Sequence, residues 1–277
     1  MIDGSPLCLG TQLTITRGQV LQFGSKYLAP LVSVPYEIHS IRMCAYPSIN
    51  GSIDCSLRGF LKWQFSAGKN APLTDSFVPM WCLTPVRQRV TELGGYFEWR
   101  FRSPLLLSPA QRIDAQVSLA ANTPNAGVTP ITVAVAYAGV LRKDYADNMP
   151  ATTEVPYCSA WDTTLTGSSC ANDWNSLRNP LSTPVDVHSL ILRVENDSTG
   201  VDGDSSKTVQ IMDPRGYALS PNGPVKLHAF APTDSREFPY TGRLMPNQHF
   251  SVRLTDPPTT AYQPQISYLG SRREATP

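Results

Sequence analysis

Short runs in which apolar and polar residues alternate recur along most of this chain. Over Tyr96–Arg102, Phe97, Trp99 and Phe101 share one side while Glu98, Arg100 and Arg102 share the other. Leu61, Trp63 and Phe65 alternate with Lys62 and Gln64. Ile113, Ala115, Val117 and Leu119 alternate with Asp114, Gln116 and Ser118. Ile131, Val133, Val135 and Tyr137 do so with Thr132, Ala134 and Ala136, and Val225, Leu227 and Ala229 with Lys226 and His228. Successive strand side chains point to opposite faces, so a period of two predicts strands with one buried and one wet face. Turn signals separate the runs: Asn50-Gly51, Gly94-Gly95, Ser108-Pro109, Asn125-Ala126-Gly127, Asn222-Gly223 and Pro257-Pro258. Strands broken this often form antiparallel sheets. A lone sheet would leave its apolar face in water, so two must pack face to face. One short helix is predicted from Thr84 to Gly94, with Thr84 as cap, Pro85 in the first turn and Gly94 as terminator. A helical turn is predicted over Asn172–Leu177.

The chain also repeats itself. Residues 35–41 read PYEIHSI and residues 184–190 read PVDVHSL, with Pro30-Leu31 and Pro180-Leu181 just upstream. Later, LSPAQRIDAQVSL (107–119) is answered by LMPNQHFSVRL (244–254), which places Pro109 and Gln111 opposite Pro246 and Gln248. Each copy ends on Tyr-x-Gly, at Tyr137 and Gly139 and again at Tyr268 and Gly270. Three matches in one order define a duplicated domain, longer than the ~20–50 residues of a solenoid repeat. The reading is all-β: a first β-sandwich over 30–143 and a second over 180–277. Residues 1–29 form an N-terminal arm or extra strand, and 144–179 a connecting segment. Units of ~95–115 residues hold eight strands of five or six residues. That suits a jelly roll or an immunoglobulin-like sandwich.

Composition agrees and narrows the function. Twenty-five prolines disfavour long helices, because proline removes a backbone donor and clashes with the preceding turn. The net charge of +1 argues against a protein that neutralises phosphates, and the one small basic cluster, Arg272-Arg273, is followed by Glu274. No charged start with an apolar run and no membrane-length apolar stretch is visible.

Candidate chemistry is sparse. Six cysteines lack C-x-x-C spacing, which argues against structural zinc. Cys158 and Cys170 flank a Ser/Thr/Gly loop and have the option of bridging, but buried free thiols are the preferred reading. His39 and His188 occupy the same place in the two copies, which points to a shared packing or hydrogen-bonding role, since catalysis rarely needs a residue twice. No H-x-H or H-E-x-x-H spacing supports a metal-dependent cupin enzyme, and no G-x-S-x-G elbow or phosphate loop occurs. Asp197, Asp202 and Asp204 form the one metal candidate, an oxygen-rich loop suited to calcium but without the full twelve-residue pattern. The bland alternative is a solvated loop. No other cofactor is expected. Trp63 and Trp99 read as core; Trp161 and Trp174 read as interface or as pins for the connection.

The paired Pro30–Ile41 and Pro180–Leu190 segments, the paired Pro109 and Pro246 strands and the paired Tyr-x-Gly endings resemble the double jelly-roll major capsid proteins of tailless icosahedral viruses. The size is similar to that of the smaller bacteriophage members. The resemblance implies a non-enzymatic structural subunit of the virion, assembled in the host cytoplasm as homotrimers whose six sandwiches give a nearly hexagonal outline. Its implied partners are itself, neighbouring capsid trimers, minor capsid or vertex proteins and an internal membrane, with no specific nucleic-acid recognition. Residues 1–29 depart from the basic N-terminus such proteins can carry, holding only Arg17 and Lys26. The rival readings are a two-domain spike, decoration or receptor-binding protein, and a glycan-cleaving hydrolase on the same fold.

Overall fold

The computed structural model describes residues 5–23, 33–47, 61–67, 71–83, 95–109, 111–121, 130–162, 174–196, 208–220, 222–227, 237–255 and 262–276. In the first half, β1 (Pro6–Ile15), β8 (Ile131–Leu141), β3 (Tyr36–Pro47) and β6 (Gly95–Leu107) form one sheet in that order. The facing sheet runs β2 (Val20–Gln22), β7 (Ile113–Leu119), β4 (Leu61–Ala67), β5 (Val78–Pro79). The second half repeats this. Its first sheet runs β9 (Thr152–Asp162), β16 (Tyr262–Ala275), β11 (Val185–Asn196), β14 (Glu237–Leu244), and its second runs β10 (Asn175–Arg178), β15 (His249–Leu254), β12 (Thr208–Met212), β13 (Val225–Lys226). All strand pairs are antiparallel, and the chain passes between the sheets at almost every connection. Two four-stranded sheets threaded in this order are a jelly roll, so the immunoglobulin-like alternative is set aside.

The predicted alternation is visible in the packing. β4 and β7 each read buried-intermediate along their whole length, and β8 does so over its first eight residues. Trp63 and Phe65 of β4 stack with Phe23, which follows β2, at ring centroids 5.5 and 5.7 Å apart, and on β6 the buried Trp99 meets the partly buried Phe101 edge-on at 5.1 Å. Each such fully buried side chain contributes about 1.5–3 kcal/mol. The second core is built around Phe250, Tyr268 and Tyr157.

The division of the chain differs from expectation at two places. Residues 1–29, expected as an arm or an extra strand, hold two integral strands, β1 and β2. Residues 144–179 are more than a connection, because they hold β9 and β10, which belong to the sheets of the second half. The link proper is a 3₁₀ turn at Lys143–Tyr145 and the irregular residues up to Ala151. Asn175–Leu177 is strand, not helical turn, because it pairs with β15 from Asn175 to Arg178. The strands displaced from the expected units also carry a fourth repeat match. Register against β8 and β16 puts Leu7 opposite Gly139 and Tyr157 opposite Gly270, so Pro6-Leu7-Cys8 stands where Pro156-Tyr157-Cys158 does. The helix expected over Thr84–Gly94 lies outside the described residues.

Candidate functional site

The paired histidines mark a backbone device. β3 shifts register between Ile38 and Ser40, and β11 between Val187 and Ser189, so His39 and His188 are each the extra residue of a β-bulge. The bulge presses the strand against its neighbour, and the Tyr-x-Gly ending answers it. A Cβ on Gly139 would lie 1.8 Å from the Glu37 carbonyl oxygen, and one on Gly270 would lie 2.6 Å from Val185 Cγ1 and 2.8 Å from the Asp186 oxygen. Only glycine fits there. The first and third repeat motifs are thus two sides of one contact. Their side chains part company: His39 is exposed near Glu37, at 3.9 Å, whereas His188 is half-buried with Nδ1 3.2 Å from Ser189 Oγ. Burial, and then the Arg102 guanidinium of the first half, lowers the His188 pKa below the usual imidazole value.

The second motif builds a turn. Ser108 N–H donates to Gln111 Oε1 at 2.9 Å and Gln111 N–H to the Ser108 carbonyl at 3.0 Å. Met245 and Gln248 repeat both bonds at 2.9 and 3.0 Å. Thr16 and Gln19 make the same closure between β1 and β2. A glutamine three residues on closes the turn it ends.

Acid–arginine pairs brace the bulges. Glu37 bonds Arg142, which lies 3.8 Å above the Tyr145 ring, and Asp186 bonds Arg243 at 2.7 Å. Arg243, with a further contribution from Arg273, holds the Asp186 carboxyl below the usual range. Arg272 does not form the basic patch suggested by Arg272-Arg273. It is buried, paired with Glu274 at 2.5 Å and set against the Tyr157 ring.

The two halves meet along a seam. Ser267 Oγ donates to the Cys82 carbonyl at 2.8 Å, and the Cys158 thiol lies 3.7 Å from the same oxygen, which belongs to the 3₁₀ turn Met80–Leu83. Cys158 N–H donates to the Leu73 carbonyl at 2.9 Å, and Asp75 N–H to the Cys158 carbonyl at 3.0 Å, so a first-half segment lies along the edge of β9. Cys158, Ile191 and Leu269 join the first core across this seam. Burial pushes the Cys158 thiol well up. Cys158 is a free thiol, as are Cys8, Cys44 and Cys82, so the bridge to Cys170 is not formed. Trp161 packs against the second core. Trp174 is 44% exposed under the Arg253 guanidinium, 4.7 Å from its ring centre. Trp63 and Trp99 are core.

The calcium candidates Asp197, Asp202 and Asp204 lie outside the described residues, and among the described residues no three His, Cys, Asp or Glu side chains gather as a metal site. The outward faces of the first sheets carry the surface features. A groove of about 520 Å³ runs over Gly10, Gln12, Arg42, Cys44, Ala134 and Ala136, and a more polar one of about 480 Å³ runs from Arg102 across His188 to Arg243.

No protein-family model matches the chain, and no curated protein does. Solved structures do. The chain is similar to the major capsid protein of Sulfolobus turreted icosahedral virus, with a TM-score of 0.56 and 11% identity over 96% of both chains. It is similar to the major capsid protein P2 of bacteriophage PM2, with a TM-score of 0.50 and 7% identity over 96% of this chain and 98% of that one. The capsid chain of the PBCV-1 virus gives a TM-score of 0.51 and 11% identity over 99% and 94%. At these identities the likeness is one of fold, and it runs nearly end to end in both directions.

Proposed function

We propose that this chain is the major capsid protein of a tailless icosahedral virus, a structural subunit with no catalytic role. One observation carries the reading: two jelly rolls in tandem, matched along almost the full length of capsid chains and of this one. The physical properties suit it. A sandwich hides most of its strand edges, and a near-neutral charge lets copies pack without strong repulsion. Many weak contacts between identical subunits then add up by multivalency. In this reading three chains bring six similar sandwiches into a nearly hexagonal trimer, trimers tile the shell, and minor capsid or vertex proteins and an internal membrane are the outer partners. Assembly takes place in the host cytoplasm. Light scattering and negative-stain electron microscopy of purified protein test it. Compact trimers of hexagonal outline, or shells, are expected; a monomer that never associates overturns the proposal.

A further inference from the structure

The seam inside the chain shows how one jelly roll of this type seats on the next. In the second half, the outward face of β9, β16 and β11 is covered. Cys158, Ser267, Leu269 and Ile191 are all buried, under the first half's Leu73–Asp75 segment and its Met80–Leu83 turn. Strand register identifies the same positions in the first half. Cys8 corresponds to Cys158, Ala136 to Ser267, Ala138 to Leu269 and Arg42 to Ile191. There the face is open. Cys8 and Arg42 are exposed, and the small residues Gly10, Ala134 and Ala136 floor the 520 Å³ groove. β1 pairs with β8 on one side and with no other strand among the described residues. Because Leu141 N–H donates to the Ser5 carbonyl, the odd residues of β1 face β8, and the amide and carbonyl of Cys8 point to the free edge.

The covering segment has its own counterpart. Ala67 N–H bonds the Ala71 carbonyl and Leu73 N–H bonds the Phe65 carbonyl; Asp213 with Tyr217 and Leu219 with Ile211 repeat these bonds at 2.8 and 2.9 Å. The bridge of Ser66 to Pro72 is repeated by Met212 and Ala218. Tyr217–Ser220 is therefore the second half's version of Ala71–Thr74. Among the described residues its backbone pairs only with β12 and its own turn, and Tyr217 is 67% exposed.

Among the described residues each molecule thus contains one completed contact, one open socket and one plug with no socket of its own. We infer that the outward face of β1, β8 and β3 receives the second half of a neighbouring copy, with Tyr217–Ser220 lying along the edge of β1 at Cys8 as Leu73–Asp75 lies along β9 at Cys158. The inference rests on the capsid reading and assigns its subunit contact to residues. Such a contact is head-to-tail, which forms a closed ring when the rotation per step divides a full turn. The backbone bond from Cys8 N–H to the Leu219 carbonyl repeats the Cys158–Leu73 bond. The reciprocal bond cannot be repeated, since the residue after Ser220 is proline and has no N–H. The contact between copies is therefore weaker than the seam, as suits a subunit that must fold before it assembles.

Alkylation of the intact protein with N-ethylmaleimide, read at Cys8 by peptide mass spectrometry, tests this alongside the variant Ala136→Arg, which fills the groove with a charge. Wild-type oligomers should modify Cys8 at least about tenfold more slowly than the variant, which should be monomeric with an unchanged circular dichroism spectrum. If the variant fails to fold, wild-type protein diluted until it dissociates takes its place, and protection must vanish on dilution. Wild-type oligomers in which Cys8 reacts at the dissociated rate overturn the inference and leave the capsid reading standing. Wild-type protein that never associates overturns both.

Discussion

The sheets β1-β8-β3-β6 and β9-β16-β11-β14 share strand order, register and bulge, yet their outward faces differ. Where the second half buries Ile191, Leu269 and Cys158, the first half presents Arg42, Ala138 and Cys8. The reverse holds one strand further on: Leu106 is buried on the outward side of β6, and its counterpart Arg243 on β14 is exposed and bonded to Asp186. Duplication preserved what faces inward and what shapes the backbone. It let the outward residues follow their neighbours, since a covered position favours apolar groups and an open one favours charged or small groups. A difference between copies therefore maps an interface.

Four measurements break or sharpen this comparison. The largest effect is expected in the cores. Trp63→Ala removes the ring stacked between Phe23 and Phe65 and should cost about 4 kcal/mol in urea unfolding, while its counterpart Val209→Ala should cost about 2. Next are the outward faces. Ile191→Ala should cost about 3 kcal/mol because the first half covers it, whereas Arg42→Ala in unassembled protein should stay within about 1. Equal costs would mean that the seam does not set the difference. At the bulges, Gly139→Ala should cost about 2–3 kcal/mol and Gly270→Ala about 1–2. The first meets a backbone carbonyl at 1.8 Å and the second first meets a movable valine methyl.

The smallest effect concerns acid. Burial and Arg102 lower the His188 pKa, so the unfolded chain binds the proton more readily. Stability from this group is full above the ordinary imidazole value of about 6.5 and is lost as pH falls through it towards the folded value. The urea midpoint should fall less steeply with acid in His188→Gln than in wild type.

The sequence made much of this legible, for reasons specific to particular residues. Strands such as β4 and β7 bury one face and leave the other half-open, so Leu61–Ala67 and Ile113–Leu119 alternate cleanly. The histidines, Pro-x-Gln turns and Tyr-x-Gly endings repeat because backbone geometry constrains them. β9 hid because Val155 to Ser159 are all buried, one side by its own core and the other by the first half, which erases the period of two. β1 was readable from Leu7, Leu9, Leu13 and Ile15, and from the match of Pro6-Leu7-Cys8 to Pro156-Tyr157-Cys158. The partner Glu274 stood two residues away in the sequence, but nothing local showed Arg272 to be buried, because the Tyr157 ring lies across the β9–β16 pair.

By itself the sequence determined the all-β class, the duplication and the devices that repeat with it, since these depend on alternation, turn chemistry and glycine, all of which act over a few residues. Only the tertiary structure decided that each unit begins a strand pair earlier than its repeat motifs suggest. It alone decided that His39 and His188 occupy bulges, and that one copy of a shared face is sealed within the chain while the other stays open. Those facts depend on which strands become neighbours and on what lies across them. That is settled by packing between segments far apart in the chain, and no local pattern encodes it.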